Sequence, residues 1–348
     1  MLKTLKQATL GTLKTSGVFT LVKGSGWRQR RLLILAYHGI SLVDEHLWNG
    51  GQFMSPEVFR GRLDLLRQNG CTVLPLAEAL TRLYEDDLPE RSVAITFDDG
   101  TYDFYTKAYS LLREFDYPAT LYLTTFYSQI NRPVFNVVCS YLLWKAREKA
   151  LDLKFVTGQD ARIDLSSEES RASVMKEILR FADEKTLCAE EKDALAASLA
   201  EQLSVDYGNL CEKRILHLMQ PDEIRTLATD GVDIQLHTHR HRTPMNRELF
   251  LREIEDNRQS IHQMTGKLPS HFCYPSGVWD HTFLPWLKEA GIESATTCEF
   301  GLASRSSNRL LLPRLVDVSA LSPIEFESWL TGISVALPRR RERTNKAA

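Results

Sequence analysis

Two carboxylates stand side by side at Asp98 and Asp99, followed by Gly100, at the end of the apolar run Ser92-Val93-Ala94-Ile95-Thr96-Phe97. Side chains alternate along a strand, so neighbouring carboxylates start out pointing different ways. That suits two different jobs, for example one metal ligand and one base. Far along the chain, His237-Thr238-His239-Arg240-His241 places three imidazoles within five residues. His237 and His241 are four apart, so one helical turn, or a tight loop mimicking it, brings both rings to one point. His239 by the same spacing faces away. Two imidazoles and one carboxylate make a three-ligand site with positions left open for water, the arrangement of a catalytic rather than a structural metal. Zinc is the default ion, and cobalt, nickel or ferrous iron suit the same donors. The bland alternatives are aspartates that cap a helix and histidines in a polar surface loop. Either motif alone would leave them open; the two motifs together argue against them.

Such residues need rigid elements behind them. The run 92–97 reads as a buried parallel strand. It delivers Asp98 and Asp99 at its C-terminal end, where α/β barrels and open sheets carry their chemistry. Gly100 allows a tight exit into a helical pattern over about 102–115. Upstream, 31–37 reads as a strand ending at His38, and a loop runs on to about 53. Ser55, Pro56 and Glu57 open a helix with Phe59, Leu63 and Leu66 on one face. A short strand at 71–74 and a helix over 76–84 follow. After the two aspartates, 118–124 is the next strand. Strands at 232–236, 270–274, 294–297 and 311–316 alternate with helices to about 228, over 247–265 and over 282–290. The alternation implies a parallel sheet with outer helices, an α/β chain of seven or eight units. The series is interrupted over 131–216 by mostly helical signals at 136–150, 166–183 and 190–203. This block reads as a helical insertion over the strands' C-terminal rim, either shaping a substrate groove or simply a subdomain.

The chain of 348 residues has 43% hydrophobic and 25% charged residues, ordinary for a soluble globular protein, and its net charge of −2 excludes bulk nucleic-acid binding. The six cysteines show no CxxC spacing, which argues against a thiolate zinc site and a disulfide scaffold, and fits a reducing compartment. No acidic residue occurs before Asp44, whereas residues 1–30 interleave lysines and arginines with leucine, valine and phenylalanine. Lys14 interrupts the apolar stretch a signal peptide needs. The expectation is a cytoplasmic protein. Residues 1–30 form an amphipathic segment that either touches the inner membrane surface peripherally or packs on the protein's own body. Residues 336–348 form a basic solvated tail.

Thr96-Phe97-Asp98-Asp99-Gly100 and His237-Thr238-x-x-His241 resemble the first two signature motifs of the polysaccharide deacetylases, the NodB-homology enzymes of carbohydrate esterase family four. The resemblance covers most of 31–335, apart from the insertion. It implies a distorted or incomplete TIM-like (β/α) barrel of about seven strands. It implies that Asp98 is the general base and that Asp99, His237 and His241 hold the metal. The family's third motif, Arg-x-Pro-Tyr-Gly, is here Cys273-Tyr274-Pro275-Ser276-Gly277. The backbone N–H of Ser276 can still serve an oxyanion, because backbone donation does not depend on the side chain. The usual arginine is missing, and Arg314 is the candidate to keep Asp98 ionised in its place; the alternative is a rim salt bridge. No histidine follows Arg314, so the usual C-terminal acid is missing too. Tyr37-His38 resembles the circularly permuted branch that includes poly-N-acetylglucosamine deacetylases, and implies His38 as the catalytic acid.

The expected activity is metal-dependent removal of an N-acetyl group, or a similar acyl such as formyl, from an amino sugar in a polysaccharide or glycolipid. The substrate is thus an N-acetylated glycan or glycolipid, and no nucleic acid is involved. Two alternatives use the same scaffold: a non-catalytic carbohydrate-binding relative, and an esterase acting on O-acetyl sugars.

Overall fold

The computed structural model describes residues 2–158 and 162–336. The basic tail therefore lies outside the described residues, save for its first position. Nine strands build one sheet: Arg31–Tyr37 (β1), Thr72–Val73 (β2), Ser92–Phe97 (β3), Thr120–Leu123 (β4), Asp233–Leu236 (β5), His271–Cys273 (β6), Ser294–Thr296 (β7), Ala303–Ser304 (β8) and Leu315–Val316 (β9). All six residues of β3 and six of the seven in β1 are buried, as parallel strands covered on both faces must be. The spatial order is β7-β6-β5-β4-β3-β1-β8, with β2 beside the start of β3 and β9 beside the end of β1. Only the β1–β8 pairing is antiparallel within this sheet.

The sheet is curled, and residues 309–316 carry the curl from one edge toward the other. Ala295 donates its N–H to Arg309, Leu312 donates to Ala295 and Thr297 donates to Leu312, all at 2.8–2.9 Å. Three residues later Leu315 and Val316 pair with Leu35 and Ala36 of β1. The sequence expectation of one strand over 311–316 is thus shortened to β9, because the segment changes partner midway. On the concave side Leu32, Ile34, Ala94, Tyr122, Cys273, Ala303 and Leu312 pack with the helix Leu76–Glu85. On the other face Leu33, Leu35, Val93, Ile95 and Phe97 join the main core. Helices Pro56–Gln68, Pro221–Thr229 and Arg247–Thr265 contribute Leu63, Leu227 and Ile254 to that core. This is the barrel-like α/β architecture the sequence implies, with an N-terminal strand lying between β3 and β9, the place the permutation requires.

Register then decides which side chains meet. Tyr37 pairs with Phe97, so His38 and Asp98 leave the sheet side by side, and Asp98 donates its N–H to Tyr37 at 2.9 Å. Leu123 pairs with Leu236 and Leu236 with Phe272, so Thr124, His237 and Cys273 emerge together.

The insertion contains helices Phe135–Lys145, Glu168–Glu184 and Ala189–Gln202 around a core of its own that includes Leu142, Ile178 and Leu199. It is not purely helical: Ala150–Asp152 and Arg162–Asp164 form an antiparallel pair. The expected helix over 136–150 stops at Lys145 accordingly. The N-terminal helix Leu2–Thr15 packs on the body. Leu10 and Phe19 are buried with Ile333, and Lys6 and Lys14 pair with Glu325 and Glu327 at 2.9 and 2.5 Å. Leu5 and Leu21 stay exposed. Among the described residues no helix is long and apolar enough to cross a membrane.

Candidate active site

Asp99 takes a left-handed backbone conformation (φ 73°), unusual for a residue with a Cβ and typical of strained functional turns. Gly100 follows at φ 86°, where a Cβ would collide with Leu123. The turn swings Asp99 toward the second motif. Its Oδ1 lies 3.2 Å from Nε2 of His237 and 3.2 Å from Nε2 of His241. Neither approach has hydrogen-bond geometry, so this buried oxygen has no proper partner. Burial alone would raise the Asp99 carboxyl, but the two facing imidazoles hold it well below the usual carboxylate range.

His237 is buried, and its Nδ1 lies 2.9 Å from the Cys273 carbonyl. A carbonyl can only accept, so Nδ1 donates to it, and Nε2 is the ring nitrogen turned toward Asp99. The segment around the histidines is a loop, not a helix. Thr238 and His241 are both left-handed, and the Thr238 hydroxyl accepts the Arg242 N–H at 3.0 Å, which closes a turn of helical span. The two rings end 4.9 Å apart. His239 points elsewhere: its Nδ1 lies 2.9 Å from the Thr125 hydroxyl and its ring packs edge-on against Phe126.

The ligand atoms of Asp99, His237 and His241 all lie within 4.8 Å of one another. One carboxylate oxygen without a hydrogen-bond partner and two imidazole Nε2 atoms converging on it are the donor set of a divalent cation, and these residues fit one. Asp98, His237 and Cys273 also lie close enough to share an ion. However, both Asp98 oxygens are already taken, so the first set is the one that fits.

Asp98 is buried and gripped by Arg314. The guanidinium donates from Nη1 to Oδ1 and from Nη2 to Oδ2, each at 2.7 Å. It also donates from Nε to the Thr297 carbonyl at 3.0 Å and from Nη1 to the Thr96 hydroxyl at 3.1 Å. Burial alone would push the Asp98 carboxyl up. The Arg314 charge and its hydrogen bonds outweigh this and hold it below the ordinary value. Asp98 is therefore an ionised carboxylate beside the candidate metal site. His38 stands at its other side, Nε2 3.8 Å from Oδ2 of Asp98. Ser276 lies in the turn Pro275–Gly277 directly after β6, again left-handed (φ 55°).

The structure thus brings Asp98, Asp99, His237, His241, His38 and Arg314 together, with Ser276 on the same rim. Sequence reasoning missed what surrounds them. Cys273, at the position of the family's arginine, lies 3.1 Å from Arg314 Nη2 and 3.6 Å from Asp98 Oδ2. Its small side chain leaves room for a guanidinium entering from β9's side. Asn257, fully buried, accepts the His237 N–H and donates to Leu123 and Thr125. One turn earlier Glu253 accepts the Arg240 N–H at 2.8 Å and holds the Arg242 guanidinium at 2.7 Å. The spacing of 253 and 257 on one helix face was the available signal.

Comparison with known proteins agrees with this geometry. The polysaccharide deacetylase family model matches residues 85–151 and 192–295, spans that contain Asp98, Asp99, His237 and His241. YxkH of Bacillus subtilis is 36% identical over 95 residues, 27% of this chain and 32% of that protein. The poly-β-1,6-N-acetyl-D-glucosamine N-deacetylase of Escherichia coli is 27% identical over 101 residues, 29% of this chain and 15% of that protein. The matches thus span a third or less of the curated relatives' length. The Streptococcus pyogenes deacetylase PplD, solved with acetate, shares the fold at a TM-score of 0.55 and 18% identity, over 85% of this chain and 96% of that one. On these grounds the chain belongs to the polysaccharide deacetylase family.

Proposed function

We propose that the protein is a metal-dependent deacetylase that removes an N-acetyl group from an amino sugar within a glycan or glycolipid. One observation carries the reading: Asp99, His237 and His241 converge with a partnerless oxygen, directly beside an Asp98 that Arg314 keeps ionised. The E. coli relative's named substrate, poly-N-acetylglucosamine, supports the substrate class.

A divalent cation held by Asp99, His237 and His241, by default zinc, would supply Lewis acidity and a more acidic water. The chain's own residues do the rest. Asp98 accepts the proton of the attacking water. Arg314 orients that carboxylate with two hydrogen bonds and keeps it ionised, the form that can accept a proton. The Ser276 N–H donates to the carbonyl oxygen as charge develops there. His38 delivers a proton to the departing amine, which leaves poorly without one. Cytoplasmic placement, with or without peripheral membrane contact through 1–30, belongs to the same proposal, and cell fractionation tests it.

The direct test is acetate release from N-acetylglucosamine oligomers and N-acetylated glycolipids with added zinc or cobalt. Activity that survives both Asp98→Asn and Asp99→Asn would refute the assignment. Preference for O-acetyl over N-acetyl sugars in the same assay would redirect it to an esterase.

A further inference from the structure

Between the loop that carries His38 and the turn that carries Asp99 stands a buried carboxyl group that the mechanism above does not use. Asp103 is 3% exposed and lies in the first turn of the helical run that starts at Tyr102. Its Oδ1 accepts the Ile40 backbone N–H at 2.8 Å and the Thr101 hydroxyl at 3.0 Å. Ile40 is two residues past His38, and Thr101 is two residues past Asp99. One oxygen therefore ties the two loops together. The other oxygen lies in the space that Gly39 leaves free: a Cβ there would come within 3.2 Å of it and would also collide with the Phe53 ring. On the opposite side, Gly39 and Ser41 donate their N–H groups to Gln52 and Met54 at 3.0 and 2.9 Å.

The His38 ring itself has no hydrogen bond among the described residues; Asp98 faces it at 3.8 Å, too far for one. Its place is consequently set by the backbone that carries it. We infer that Asp103 is a positioning residue for the deacetylation, fixing His38 over the reacting centre by locking its loop to the Asp98–Thr101 turn. This rests on the reading of His38 as the acid. The role needs an acceptor rather than a charge. Burial pushes the Asp103 carboxyl up to about 8, and the nearby Glu45 carboxylate adds to the push against the Ile40 and Thr101 donors. Asparagine keeps an acceptor oxygen of the same reach, so Asp103→Asn should preserve the lock where Asp103→Ala breaks it.

The test compares two substrates on the zinc-loaded protein. An N-acetylglucosamine oligomer needs a protonated leaving group; p-nitrophenyl acetate, whose phenolate leaves unaided, does not. His38→Ala is the reference. For Asp103→Ala, kcat on the oligomer should fall roughly 10²-fold, the effect of a misplaced acid, with KM within about threefold. Hydrolysis of the aryl ester and bound zinc should stay close to wild type. Asp103→Asn should restore the oligomer rate. Thr101→Val, which removes one of the two tethers, should show the same split at smaller size and keeps the test open if Asp103→Ala does not fold. Equal loss on both substrates, no loss on either, or failure of asparagine to restore the rate would overturn the inference. If His38→Ala itself spares the oligomer, the acid assignment falls instead, and the two failures are distinguished.

Discussion

Replacing Arg314 by methionine removes the partner of a fully buried carboxylate while roughly keeping side-chain volume. The guanidinium makes two hydrogen bonds of 2.7 Å to Asp98 and further bonds to Thr96 and Thr297. Breaking a buried ion pair from one side costs about 3–5 kcal/mol, because the other charge stays behind without compensation. Two charge-assisted bonds at about 1.5–3 kcal/mol each give about 3–6 kcal/mol, which overlaps that range. Asp98→Asn leaves the opposite charge stranded and should cost a similar amount. In the double variant neither charge remains, so the loss should be no greater than for either single change. The cycle then yields a coupling of at least about 3 kcal/mol, at or above the upper end for contacting residues. Urea unfolding in the presence of a chelator, so that bound metal does not contribute, measures all four corners. In kinetics, Arg314→Met should lose about 10²- to 10⁴-fold in kcat/KM, the contribution of a general base, since Asp98 without its partner takes up a proton. Additive single-variant losses, or a methionine variant with more than a tenth of wild-type activity, would refute the reasoning.

The Asp103 carboxyl is held up to about 8 in the fold, against about 4 in an unfolded chain. Between those values the folded state binds the extra proton, so its contribution to stability declines as pH rises. Asp103→Asn lacks that decline, and its urea midpoint should gain on wild type from pH 5 to pH 8. Gly39→Ala drives a methyl into the Phe53 ring and toward Asp103. It should cost about 1–3 kcal/mol as overpacking and depress oligomer hydrolysis by shifting the His38 loop, checked by melting and by rate. Asn257→Leu leaves the His237 N–H and the Leu123 carbonyl unpaired. Zinc affinity should fall about 10- to 100-fold, as measured by competition with a chelating dye. Chelation of the wild-type protein should abolish deacetylation, and added zinc or cobalt should restore it.

Burial and punctuation made much of this fold legible. The runs 31–37 and 92–97 read as buried strands because they are unbroken apolar stretches, and both are. The helix Arg247–Thr265 matches its expected limits, since Asn246 caps it and Gly266 ends it in the left-handed region. The short pieces were not legible. The pair Ala150–Asp152 and Arg162–Asp164 has three residues a side, too few to show a period, and their spacing of helical signals hid them. Gly39–Ile40 and Phe53–Met54 fell inside a stretch read as loop, because two-residue strands are fixed by their partner rather than by pattern. In the site, residues at strand ends were readable because chemistry demanded their types. Asp103, Glu253 and Asn257 were not, because an acidic or amide residue within a helical stretch looks like solvated surface until the fold closes over it. Arg314 lay between: the gap at Cys273 called for a cation, and only register shows that β9 delivers it beside β1.

The central claim is that Asp99, His237 and His241 grip one ion beside Asp98. A crystal structure of the zinc-loaded protein, with anomalous data collected at the zinc edge, tests it most directly. A single peak about 2.0–2.2 Å from one Asp99 oxygen and from Nε2 of both histidines, with Asp98 still paired to Arg314, is the predicted result. A fully ordered site that binds no zinc, or a peak on other residues, would contradict it.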